Sequence, residues 1–162
     1  MLLAVFGLAG MVPAYPKVRS MSVRILLADD STTMRKIILR SLGTAGVATI
    51  VEAEDGDEAV RMFQPGQFDL VLADWRMPGQ TGIEVARQIR RLDAQIPIVL
   101  MSTEMEKYPE AEAQEAGVTD RLIKPFSPEA VRDLIDKHCG ELATARTRLP
   151  AKAPRKSAAA GR

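Results

Sequence analysis

The sequence predicts a doubly wound α/β domain, a parallel sheet with helices on both faces. Three observations carry that reading. Short apolar runs alternate along the chain with segments of helical periodicity, which implies parallel pairing through right-handed crossovers. The runs are apolar throughout rather than at every second residue, as strands buried on both faces require. Polar residues follow directly after them, at the end of the sheet where open α/β folds bind ligands.

The first strand is expected over Arg24–Ala28, ending at Asp29 and Asp30, with Ser31 and Thr32 as helix caps. Met34, Ile37, Ile38 and Leu42 then fall on one face of a helix that Gly43 and Gly46 should stop. A second strand is expected over Ala48–Ala53. Acidic Asp55, Asp57 and Glu58 suit the positive end of a short second helix carrying Ala59, Val60 and Phe63. Asp69–Ala73 reads as the third strand, ending on Asp74, and Pro78-Gly79 as a turn. Ile83, Ala86 and Ile89 mark the third helix. A fourth strand over Pro97–Met101 ends on Ser102 and Thr103. The next helix, Glu104 to Ala116, carries five glutamates and Pro109 but few large apolar groups, so it should be marginal. Leu122-Ile123 is a brief fifth strand before Lys124 and Pro125. Ser127 and Pro128 begin the last helix, with Val131, Leu134, Ile135 and His138 on one stripe.

Composition limits the alternatives. The chain has 162 residues, 46% apolar and 27% charged, enough for one packed soluble domain. A single cysteine, Cys139, excludes an internal disulfide and points to a reducing compartment, so a cytoplasmic location is expected. No apolar run is long enough to span a bilayer. Residues 1–20 read as a leader apart from the domain. The positive charge of Lys17 and Arg19 follows the apolar run instead of preceding it, unlike a secretory signal, and translation is expected to start at Met21. Residues 21–140 form the domain. Residues 141–162 carry six basic groups against Glu141, a charge of +5 that leaves −4 on the rest of the chain. They read as a basic flexible tail, and with no aromatic residue interleaved they do not read as a nucleic-acid-binding arm.

The chemistry lies at the strand ends. The first and third strands should bring Asp29, Asp30 and Asp74 into one crevice, where each ionised carboxylate disfavours its neighbours. A divalent cation resolves that conflict, and an all-oxygen donor set suits Mg²⁺. Lys124 adds a fixed positive charge and Ser102 a hydroxyl. Together they suit phosphoryl handling, with a carboxylate as nucleophile. Any one of these residues has a structural explanation, as a helix cap, a loop starter or a surface lysine. Four at the ends of four strands are harder to explain that way. His138 and the methionines are read as packing residues, not ligands.

The segments Leu26-Leu-Ala-Asp-Asp-Ser-Thr-Thr-Met-Arg-Lys36, Glu52-Ala-Glu-Asp-Gly56, Asp74-Trp-Arg-Met-Pro-Gly79 and Lys124-Pro-Phe126 resemble two-component response regulator receiver domains of the single-domain, CheY-like kind. The resemblance covers about Arg24 to Cys139. It implies a flavodoxin-like five-stranded sheet of order 2-1-3-4-5 with five helices. It also implies Asp74 as phosphoacceptor, and Mg²⁺ held by Asp30, Asp74 and the backbone carbonyl of Arg76, with Asp29 acting through water. Lys124 would contact the phosphoryl group, the Lys124-Pro125 bond would be cis, and Ser102 would be the switch hydroxyl. By this resemblance a sensor histidine kinase, such as a chemotaxis kinase, would be the donor. A downstream protein would bind the face of the fourth helix, fifth strand and fifth helix. The chain would thus be a signalling switch in chemotaxis or motility rather than an enzyme. Two features depart from the pattern. Arg121 stands where CheY-like proteins have a tyrosine, and Glu110 lies where their motor-binding face is apolar. Arg76 and Glu104 occupy positions that tune phosphate loss in the family, and their pairing across the site mouth would slow it. Competing readings are a phosphorelay intermediate, an aspartate-nucleophile phosphohydrolase and a phosphate-independent binding module. The phosphohydrolase needs a second acid two residues after its nucleophile, and Asp74 is followed by Trp75 and Arg76.

Overall fold

The computed structural model describes residues 21–103 and 107–146. Its elements follow in the order β1 (Met21–Ala28), α1 (Thr32–Ala45), β2 (Val47–Ala53), α2 (Gly56–Met62), β3 (Leu70–Asp74), α3 (Gly82–Leu92), β4 (Ile98–Thr103), α4 (Glu110–Glu115), β5 (Asp120–Lys124) and α5 (Pro128–Arg146). All strand pairs are parallel, in the spatial order β2-β1-β3-β4-β5. The doubly wound fold expected from the sequence is therefore present.

Side-chain alternation splits the core into two layers. Val23, Ile25 and Leu27 of β1, with Leu70, Leu72, Val99, Met101 and Leu122, pack under α1 and α5. Leu26, Ala28, Val71, Ala73, Ile98 and Leu100 face α2, α3 and α4. Helices on both faces leave no strand position in the centre exposed, which is why β3 is buried at every residue and reads as a continuous apolar run. The chain leaves β1 toward β2 on one side and returns to β3 on the other. The crevice at that divergence opens beyond the carboxyl ends of β1 and β3.

Local chemistry sets the helix starts. Ser31 accepts from the Met34 amide at 3.2 Å, Asp55 from the Glu58 amide at 2.7 Å and Ser127 from the Ala130 amide at 3.2 Å. Thr81 and Glu84 form a reciprocal capping box at α3.

Several local expectations are corrected. Gly43 does not stop α1; the helix runs through it and ends at Gly46, whose φ of 98° places it in the left-handed region that glycine favours. Ile37 lies off the buried face and is 51% exposed, because Arg35, Ile38, Leu42 and Ala45 take the sheet-facing positions. The fourth helix is only Glu110–Glu115, and Glu104 lies outside the described residues. Pro109 disfavours helix at the residue before it, and Ala113 is the one residue of α4 that reaches the core. β4 extends to Thr103, so Ser102 lies within the strand instead of after it. The last helix continues past Gly140 to Arg146, into the segment expected to be a flexible tail. Ala143 and Ala145 are strong helix formers that carry it on. Residues 1–20, expected to be a leader, and residues 147–162 lie outside the described residues. No helix among the described residues is long and apolar enough to cross a membrane.

On the β5–α5 side, Asp120 Oδ2 accepts from Lys137 Nζ at 2.7 Å and pairs with His138 Nε2 at 2.8 Å. His138 thus ends its apolar stripe on a carboxylate. Partial burial opposes ionisation of Asp120, but the Lys137, His138 and Arg121-amide hydrogen bonds outweigh it and hold the carboxyl at about 2. A carboxyl held below its unfolded value of 3.8 stabilises the fold above that value, and loses the contribution as pH falls toward about 2. Asp120→Asn is expected to lower the denaturant midpoint at pH 7, with the gap to wild type closing below pH 4. A gap that stays constant across that range would rule out the ionised carboxylate as its source.

Candidate functional site

Asp29 and Asp30 follow β1, and Asp74 closes β3. Register alone brings these ends together, since Ala28 lies opposite Ala73. Each of the three offers a carboxylate oxygen, and these oxygens lie within 4.8 Å of one another. Asp29 is fully buried, Asp74 is nearly so, and Asp30 is exposed at the mouth.

Lys124 ends β5, two strands away from β3, and its side chain reaches back into the crevice. Its Nζ lies 3.0 Å from Asp29 Oδ2 and 3.1 Å from Asp74 Oδ2, with the lysine buried. The Lys124-Pro125 peptide is cis, as expected. Burial disfavours the ammonium, but Asp74 and Asp29 more than compensate, and the Lys124 pKa is raised. Burial pushes the Asp74 carboxyl up, and the Asp29 charge adds to this, against the lowering effects of Lys124 and the Arg76 amide. Among the described residues, one cation therefore pairs with two buried carboxylates and leaves the cluster short of positive charge. An all-oxygen acidic set with that deficit fits a hard divalent cation.

Two features that sequence reasoning missed hold the site. Arg35 is buried although charged. It donates from Nη1 to the Asp29 carbonyl at 2.8 Å and pairs through Nη2 with Glu54 Oε1 at 3.0 Å, so it ties the end of β1 to the end of β2. Its signal was present as a charged residue three before Ile38 and seven before Leu42, in register with the buried stripe. The second is Gly82, where α3 begins. A Cβ there would overlap the Asp74 carbonyl oxygen and come within 2.9 Å of Trp75 Cα and Leu100 Cδ2. The Gly82 amide donates to the Trp75 carbonyl at 3.1 Å, and the Trp75 amide to Met101 at 3.0 Å. The backbone carrying the carboxylate is thus clamped on both sides.

The remaining expected residues lie around this centre. Ser102 is fully buried and accepts from Arg121 Nε at 2.6 Å, and the Arg121 guanidinium stacks on Tyr108 at 4.4 Å. Arg76 lies over the Trp75 ring at 5.5 Å. The expected Arg76–Glu104 pairing involves a residue outside those described.

The sequence model of the response regulator receiver domain matches residues 25–136. The chain belongs to this family. Among curated relatives of this receiver domain, chemotaxis protein CheY of Pseudomonas aeruginosa is 36% identical over 117 residues, 71% of this chain and 94% of its own. Chemotaxis protein CheY-3 of Vibrio cholerae is 35% identical over 118 residues, 72% of this chain and 91% of its own. Solved structures agree. CheY4 of Vibrio cholerae superposes with a TM-score of 0.65 at 30% identity, covering 72% of this chain and 98% of that one. The receiver domain of a Pseudomonas aeruginosa sensor histidine kinase gives 0.66 at 26% identity, covering 74% and 98%, and holds a magnesium ion in its active-site cleft. The receiver fold and its two-component signalling class are thereby established for this chain.

Proposed function

We propose that this receiver domain acts as a response regulator of the cytoplasm that takes a phosphoryl group on Asp74 from a sensor histidine kinase. Its output would be altered binding of a downstream protein, with chemotaxis or motility the process favoured by its CheY relatives. The observation that supports this most is the convergence of Asp29, Asp30, Asp74 and Lys124 in one crevice.

In this reading an Asp74 carboxylate oxygen attacks the phosphorus of a phosphohistidine, the P–O bond forms as the P–N bond breaks, and the donor imidazole leaves. Asp30, Asp74 and the Arg76 carbonyl would hold Mg²⁺, with Asp29 acting through water; when bound, the ion neutralises phosphoryl oxygens. Lys124 is already beside Asp74 and supplies a second cation to the new charge. Ser102 then moves its hydroxyl toward the phosphoryl oxygens, and the α4–β5–α5 face changes its partner affinity. Attack of water on phosphorus regenerates the carboxylate and releases phosphate. Arg76 flanks the acceptor, so Arg76→Ala is expected to speed that loss several-fold.

Trp75 adjoins Asp74 and provides the test. Wild-type fluorescence should respond saturably to Mg²⁺ and then to acetyl phosphate, with a signal that decays as donor is exhausted. Asp74→Asn should abolish the second response. A folded wild type silent to both additions would overturn the reading in favour of a phosphate-independent binding module.

A further inference from the structure

Ser102 must move for the switch to operate, yet its hydroxyl is bonded to Arg121 and not to Asp74 or Lys124. The sheet register explains how. Arg121 lies opposite Leu100 on the neighbouring strand, so Ser102 is its diagonal neighbour. Leu100 belongs to the layer facing α2–α4, and alternation puts Ser102 and Arg121 on that same face. Asp74 and Lys124 share their alternation with Leu72 and Leu122, in the opposite layer.

Among the described residues, three contacts hold the guanidinium. Nε donates to Ser102 Oγ at 2.6 Å, Nη2 donates to the Thr103 carbonyl at 3.3 Å, and the planar group lies 4.4 Å from the centre of the Tyr108 ring. Tyr108 in turn packs edge-on against Trp75, with centroids 6.1 Å apart, immediately beside the phosphoacceptor. A charge-assisted hydrogen bond and a cation–π contact are each stronger than their neutral counterparts. Arg121 also has somewhere to go. A cavity of about 340 Å³ adjoins it, lined in part by Glu110 and Asp120, so acidic residues border the space a released guanidinium would enter.

We propose that Arg121 is a latch: it holds Ser102 on the resting side of the sheet, and the hydroxyl reaches the phosphoryl group only when the guanidinium lets go. Arg121 is a positioning residue acting through Ser102, and the latch rests on the phosphoacceptor reading above. It sets the resting bias of the switch. A tyrosine at this position could not make the Nε bond, and without that bond the resting state loses its advantage.

The test has two arms on the full chain. In the resting protein, the Nε–H proton of Arg121 should be protected from solvent exchange by NMR, and Ser102→Ala should remove that protection. In the second arm, beryllium fluoride with fixed Mg²⁺ serves as the phosphoryl mimic, read by Trp75 fluorescence. Arg121→Ala and Arg121→Met should both respond at about tenfold lower beryllium fluoride than wild type. In a Ser102→Ala background the same substitutions should leave the midpoint unchanged, an outcome that general loosening of the fold would not produce. Equal midpoints in wild type and both variants, or a tenfold shift that survives Ser102→Ala, would overturn the latch. A protected Nε–H in a protein that never responds to beryllium fluoride would overturn the phosphoacceptor reading while supporting the resting contact.

Discussion

Replacing Lys124 by methionine is expected to cost about 3 kcal/mol of stability in metal-free buffer, because it removes a cation shared by two buried carboxylates. Methionine keeps most of the side-chain volume, so packing loss is a minor part. The cost should shrink when Asp74→Asn is added, since one of the two repelling charges is then gone. The coupling between these substitutions, read from denaturant midpoints in a double-mutant cycle, measures the internal ion pair. Mg²⁺ offers a second check. A cation that binds the folded carboxylate cluster stabilises it by mass action, and the gain should be larger where the lysine is missing. Additive substitution costs, together with equal Mg²⁺-induced shifts in both proteins, would show that Lys124 is not the counter-ion of the resting cluster.

Gly82→Ala is expected to destabilise the domain by about 2 kcal/mol and to slow phosphorylation of Asp74 as well. The new methyl group would meet the Asp74 carbonyl oxygen and Trp75 Cα as well as the Leu100 side chain, and the backbone atoms cannot turn aside, so the Asp74 carbonyl and the start of α3 must move apart. The displaced backbone carries the proposed nucleophile, and misplacement there lowers the rate beyond what lost stability explains. Gly43→Ala is the matched control. Gly43 lies inside α1 with open space where its Cβ would be, and alanine is the better helix former, so a gain of about 0.5–1 kcal/mol is expected. Thermal unfolding and acetyl phosphate incorporation on both variants would separate the two effects. A Gly82→Ala protein with wild-type stability and rate would show that the loop after β3 yields freely.

Legibility differed between features for physical reasons. The central strands were readable because burial on both faces favours continuous apolar runs, and β3 is buried at all five positions, apolar until it closes on Asp74. Helix starts were readable where a side-chain cap sits at the boundary, as at Ser31 and Ser127. Helix ends were less so. A glycine signals a stop only if its backbone turns left-handed, which Gly46 does and Gly43 does not. The exposure of Ile37 beside a buried Arg35 reverses the hydrophobic pattern. It follows from what Arg35 touches, the Asp29 carbonyl and Glu54; spacing within α1 puts Arg35 on the buried stripe but does not name those partners.

The sequence by itself determined the alternation of elements, the two-layered core, and the set of acidic, hydroxyl and ammonium groups at the strand ends. Periodicity and capping act between residues a few positions apart, so they are written in any short window of the chain. Only the tertiary structure decided which of those groups meet. Lys124 and Asp29 are 95 positions apart, and their bond depends on the order and register of the strands between them. Arg121 and Ser102 lie 19 positions apart, and they touch because β4 and β5 align Leu100 with Arg121 and not with a neighbour. A shift of one residue would turn the guanidinium to the other face of the sheet, away from the hydroxyl it holds.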